Sequence, residues 1–176
     1  MFKTIKTILF ATDLSPNCRS AFEAAISLAA QYQAKLVLLH VISGRNVPSF
    51  IEGHLRTAMG DEKWEALAAE HQQDARHALI GKMSPESLLH TALKQYCADA
   101  GIHDVNCGIR SHEIVVAEGD TVQEVLTQAA NYECDLIVIG ARKGFLKSNS
   151  IGPTAKGVMR KTRIPVLFVP PRSEDG

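Results

Sequence analysis

Apolar residues fall along this chain in short unbroken runs, and between the runs they recur at helical spacing, the pattern of strands and helices that take turns. Residues 5–11 form the first run. It ends in Thr12-Asp13, after which Ser15-Pro16 reads as a helix N-cap with proline at the first helical position. Phe22, Ala25, Ile26 and Ala29 follow at helical spacing, so residues 16–32 are predicted to lay one face of a helix on a sheet. Residues 36–42 are the next run, and two strands joined by a helix of this length make a right-handed parallel unit.

The pattern lapses over residues 43–60 into Gly, Pro, Asn and Ser, which predicts a long connecting loop. Helical spacing returns with Trp64, Leu67, Ala68, His71, Ala75, Ala78 and Leu79, breaks near Gly81, and restarts at Ser84-Pro85 with Leu88, Leu89, Ala92, Leu93 and Tyr96. A parallel crossover needs one helix, so this pair is read as an elaborated crossover over about residues 43–110. Residues 114–117 are a short strand. Gly119-Asp120 opens the next helix, with Asp120 and Gln123 at capping-box positions and Val122, Val125, Leu126 and Ala129 on its buried face.

Residues 136–139 are a fully apolar run ending at Gly140; a basic loop holding Gly144 follows, then a helix start at Gly152-Pro153, then a last apolar run at residues 166–169. Strands apolar throughout belong to a sheet covered on both faces. The chain is therefore read as α/β: an open, doubly wound, parallel sheet of five strands with helices on both faces. Its ligand crevice is expected beyond the carboxyl ends of the strands, where strand order reverses. With the first strand beside the fourth, Asp13 and Gly140 face each other there. Residues 1–172 are read as one domain and 173–176 as a flexible tail.

The loop after Gly140 has the chemistry of an anion site. A glycine at a strand end lets the backbone approach a ligand, and Gly152-Pro153 would leave N–H groups and the positive end of a helix dipole facing the loop. Arg142, Lys143 and Lys147 add charge. The same Gly-Pro start is also ordinary helix punctuation.

Composition changes this picture little. The 176 residues are 45% hydrophobic and 22% charged, as in a single globular domain. Nineteen Lys and Arg balance nineteen Asp and Glu, so nothing at whole-chain level points to nucleic acid or a membrane surface. No run approaches the roughly 18 apolar residues of a membrane span, and the first residues are too short in apolar length for a secretory signal, so a cytoplasmic chain is expected. Cys18, Cys97, Cys107 and Cys134 are scattered, and none of the seven histidines stands four residues from another, so reduced thiols and no metal site are expected. Trp64 reads as packing. Ser15 and Ser150 have no evident base partner, and Arg160, Lys161 and Arg163 suit the end of the last helix.

Four segments in order, ILFATDLSPNCRSAFEAA, LVLLHVI, VAEGDTVQEVLTQA and DLIVIGARKG…GPTAKGVMRKTRIPVLFVP, together resemble the universal stress protein family. They span nearly everything outside about residues 45–110. The resemblance implies strand order 3-2-1-4-5, a homodimer commonly formed through the last strand, and, in one branch of the family, an ATP site. Carried onto this chain, that site would use Ala11, Thr12 and Asp13, then Val41, then Gly140 for adenine and ribose. Phosphates would lie over Gly144 and the helix start at Gly152-Pro153, with Thr154 and Ser150 as substitute donors and Arg142 and Lys143 as compensating cations. Asp13 is open to three readings, ribose ligand, metal ligand or helix-dipole charge, and the resemblance ranks ribose first.

The chain departs from the branch's G-x2-G-x9-G-[S/T] pattern. Its spacing is G-x3-G-x7-G, Lys143 stands at the second glycine position, and Pro153 replaces the Ser or Thr. Proline removes a backbone N–H and a hydroxyl from the helix start. The expected function is thus a non-catalytic stress-response module with a weakened site for ATP or AMP. One alternative is a relative that binds no nucleotide and acts through protein contacts. Another is a nucleotide hydrolase, which ATDLSPN after the first strand and the absence of an H-x-G-H motif make the weaker reading.

Overall fold

In a computed structural model of the chain, the described residues are 4–14, 18–42, 62, 98, 110–141 and 151–171. In chain order they form β1 (Thr7–Thr12), α1 (Arg19–Tyr32), β2 (Lys35–Ile42), β3 (Ser111–Glu118), α2 (Thr121–Asn131), β4 (Leu136–Gly140), α3 (Pro153–Lys161) and β5 (Val166–Val169). The five strands pair in the order β3-β2-β1-β4-β5, every pairing parallel, which is the order the family resemblance implies. The loop over residues 43–60, the crossover helices with Trp64, and the tail at 173–176 lie outside the described residues.

Side chains of the three central strands alternate between two cores, as the pleat requires. Ile8, Phe10, Leu36, Leu38, Leu136 and Val138 pack under α1, through Ala21, Phe22, Ala25 and Ala29. Leu9, Val37, Leu39, Ile137 and Ile139 pack on the other face under α2 and α3, through Val125, Ala129, Ala155 and Val158. Phe10 and Phe22 stack with ring centroids 5.3 Å apart. Alanine on the buried face of α1 lets that helix sit close to the strands. On the other face α2 and α3 meet at Gly157, where a β-carbon would lie 2.7 Å from Val122 Cγ2.

The end of the sheet where β1, β2 and β4 begin is pinned by polar groups. The buried Asp135 carboxylate accepts from the Lys6 N–H at 2.8 Å and the Thr7 N–H at 3.2 Å, while its own N–H donates to the Thr7 carbonyl at 2.8 Å. Nearby, Glu113 accepts from Lys35 and from the Tyr132 hydroxyl at 2.7 Å, and Lys35 lies over the Tyr132 ring. The hydrogen bond from Lys35 and then that from Tyr132 hold the Glu113 carboxyl below its usual range, and the bond to Glu113 raises Tyr132.

Several strand boundaries differ from the sequence expectation by one or two residues, and β3 and α1 differ by more. β3 runs three residues further toward its N-terminus than 114–117 and one beyond, because Ser111, His112 and Glu113 pair with Lys35, Leu36 and Val37 although they are polar. An edge strand can carry polar residues without burying them. α1 begins at Arg19, with Cys18 at its N-cap, rather than at the Ser15-Pro16 punctuation; those two residues lie outside the described set. Before them Leu14 is buried in a left-handed conformation, φ 59°, which turns the chain sharply after β1. α2 starts as expected, its cap Asp120 accepting from the Gln123 N–H at 2.9 Å. No helix among the described residues is long and apolar enough to cross a membrane.

Candidate functional site

β1 and β4 are neighbours, yet α1, which follows β1, covers one face and α3, which follows β4, covers the other. Helices that leave adjacent strand ends in opposite directions open a crevice. A cavity of about 320 Å³ lies there, within the roughly 300–1,000 Å³ range of small-molecule sites.

Its wall brings together most of the residues singled out above. Ala11, Thr12 and Asp13 come from the end of β1, Val41 from the end of β2, Gly140 from the end of β4, and Gly152, Pro153 and Thr154 from the start of α3. Arg142, Lys143 and Gly144, with Lys147 and Ser150, lie outside the described residues. Cys18, His40 and Thr121 also line the cavity and were not expected there. His40 carried one signal, being the polar residue in an apolar strand next to Val41, but sequence alone reads it as solvent-facing or satisfied in the core. It is 1% exposed, and its Nδ1 is 2.9 Å from the Thr12 carbonyl oxygen.

Asp13 is exposed, and its Oδ1 accepts from the Cys18 thiol at 3.1 Å. Burial first, and the Asp13 carboxylate second, push the Cys18 thiol up to about 11. Cys134 is pushed to about 12, again by burial and then by Asp135. Both are buried thiols outside any disulfide, and at neutral pH both stay protonated, which makes them poor nucleophiles.

Gly140 has a local role beside the one expected. A β-carbon there would stand 3.3 Å from Cys18 Sγ and 3.4 Å from both Ala21 Cβ and Cys18 Cα. The missing side chain thus makes room for the start of α1 against the end of β4. Gly152 is the glycine that the backbone itself demands. At φ 80° and ψ 154° it occupies a region essentially closed to other residues, while a β-carbon there would meet nothing within 4 Å. Among the described residues no side chain caps α3, and Pro153 occupies its first turn, so the helix start keeps N–H groups without intrahelical partners at Thr154 and Ala155. Among the described residues, no three His, Cys, Asp or Glu side chains converge as metal ligands.

Residues 4–170 match the family model described as "Universal stress protein family". Universal stress protein A of Salmonella typhimurium is 26% identical over 170 residues, covering 97% of both chains. A universal stress protein solved in complex with cAMP has the same fold, with TM-score 0.61 and 20% identity over 97% of this chain and all of that one. A family protein from Arabidopsis thaliana solved with AMP bound gives TM-score 0.55 and 14% identity, over 97% of this chain and 94% of that one.

Proposed function

The chain belongs to the universal stress protein family, and from that premise we propose that it is a non-catalytic, cytoplasmic stress-response protein whose crevice takes an adenine nucleotide, ATP or AMP. One observation carries the reading. Ala11, Thr12, Asp13, Val41 and Gly140, distant in sequence, converge with the start of α3 on a single cavity at the reversal of strand order. In this reading the Asp13 carboxylate bonds ribose hydroxyls, the backbone at Val41 meets the base, and apolar Ala11, Val41 and Ile139 flank it. The phosphates extend to Gly152, Pro153 and Thr154, with Arg142, Lys143 and Gly144 beside them. The fold relatives that carry cAMP and AMP support the ligand class.

A binding role suits the side chains better than a catalytic one. The titratable groups that line the cavity among the described residues are Asp13, Cys18 and His40. Asp13 and Cys18 bond each other, His40 bonds the Thr12 carbonyl, and the thiol is held protonated. Calorimetric titration with ATP and AMP at low and high salt tests the reading. Both should bind, and ATP should lose more affinity to salt, because in this reading its extra phosphates rely on the cations Arg142, Lys143 and Lys147. If neither binds, the second reading stands: Pro153 has removed the phosphate donor, and the protein works through protein contacts alone.

We further propose a homodimer through β5. Among the described residues that strand is paired only with β4, its four apolar residues are each half-buried, and exposed Pro165 and Pro170 flank it. A short apolar edge of this kind is covered in most proteins. Sedimentation should find a dimer across the micromolar range, and a monomer independent of concentration would refute it.

A further inference from the structure

We propose that His40 is a positioning residue for the crevice, fixing the direction in which Asp13 leaves β1; this rests on the nucleotide reading above. Thr12 and His40 are partners across the parallel β1–β2 pair, so the imidazole reaches the last carbonyl of β1 from the neighbouring strand. A carbonyl oxygen only accepts, so Nδ1 carries the proton, and the neutral ring is the Nδ1–H tautomer.

The geometry around Asp13 gives this bond its consequence. The peptide plane before Asp13 contains the Thr12 carbonyl, which His40 holds at 2.9 Å. The plane after it contains the Leu14 N–H, which donates to Thr12 Oγ1 at 2.9 Å. Both planes that flank the Asp13 α-carbon are therefore tied to buried groups, since His40, Thr12 and Leu14 are all buried. The Cα–Cβ direction of Asp13 follows from those planes, and with it the place of a carboxylate that is itself exposed at the crevice wall. One tie is local to the turn. His40 supplies the other, and it couples the end of β1 to the end of β2, the two strand ends that this reading assigns to ribose and base.

The test compares wild type with His40→Leu, His40→Gln and His40→Asn. Asparagine places an N–H near the position of Nδ1, glutamine places it further out, and leucine has none. Histidine ring nitrogen correlations should show the Nδ1–H tautomer in the free wild-type protein. AMP affinity should fall roughly tenfold in the Leu and Gln variants, the scale of one lost buried hydrogen bond, and largely recover in the Asn variant. Amide exchange at Leu14 should quicken in the first two and not in the third. In an Asp13→Ala background, His40→Leu should cost little further affinity, because the two act through one group. An Nε2–H tautomer, wild-type affinity in the Leu and Gln variants, no Asn recovery, or additive losses would each overturn the proposal. If wild type binds neither AMP nor ATP, the nucleotide reading fails, and the tautomer and Leu14 exchange still decide the positioning role.

Discussion

Replacing Phe10 with alanine is expected to remove about 3–5 kcal/mol of folding stability, the range for deleting a buried aromatic ring. Phe10 is 0% exposed at the centre of the sheet, and its ring stacks on Phe22, which is 2% exposed on α1. The neighbours on that face, Ile8, Leu36, Leu38 and Val138, sit on strands paired on both sides and have little freedom to collapse into the space. Phe10→Leu keeps most of the volume and should cost under about 2 kcal/mol. Urea unfolding of the three proteins gives the comparison. A loss below about 1 kcal/mol for alanine would mean that α1 repacks freely over the sheet.

Replacing Pro153 with serine is expected to tighten ATP binding by about one to two decades, with little change for AMP. Proline at the first helical position suits the helix itself, because its fixed φ matches and its missing N–H has no intrahelical partner there. Serine should therefore leave the stability of α3 nearly unchanged while returning an N–H and a hydroxyl to a start that has no side-chain cap. Those donors lie where the nucleotide reading puts the outer phosphates, so the gain should grow with phosphate number. It should also make ATP binding less sensitive to salt, as hydrogen bonds replace attraction by the loop cations. Calorimetric titration of both proteins with both nucleotides decides. Equal gains for ATP and AMP would place the start of α3 beside the adenosine instead.

The strands of this fold were legible because a sheet covered on both faces writes itself as continuous apolar runs. The polar start of β3 was not, because an edge strand gains its pairing through the backbone and leaves no apolar signature at Ser111–Glu113. The end of α1 at Tyr32 was read correctly from the apolar spacing, although neither it nor the end of α2 is marked by glycine. Gln33 at φ 51° and Glu133 at φ 49° take the left-handed turns that glycine usually marks. At the crevice, Asp13, Val41 and Gly152 were legible from family motifs and glycine chemistry. Gly140 also makes room for the start of α1, a neighbour that was not legible, since nothing in sequence says which element will occupy the space of an absent side chain. His40 shows the same limit: a polar residue in an apolar strand must find a partner, but only the register of β1 against β2 reveals that the partner is Thr12.

The Asp135 carboxylate acts like the zero mark of a ruler. By accepting from Lys6 and Thr7 it sets where β4 starts against β1, so that Ile8 meets Leu136 and Ala11 meets Ile139. Strands advance about 3.3 Å per residue, and a slip of one would turn every side chain of β4 to the opposite face. The register that pairs Ala11 with Ile139 brings Thr12 level with Gly140 and Asp13 one residue beyond it at the crevice, because the count along both strands begins from the same point. The alignment of the site is thus measured out from the far end of the sheet, by a residue that never touches it.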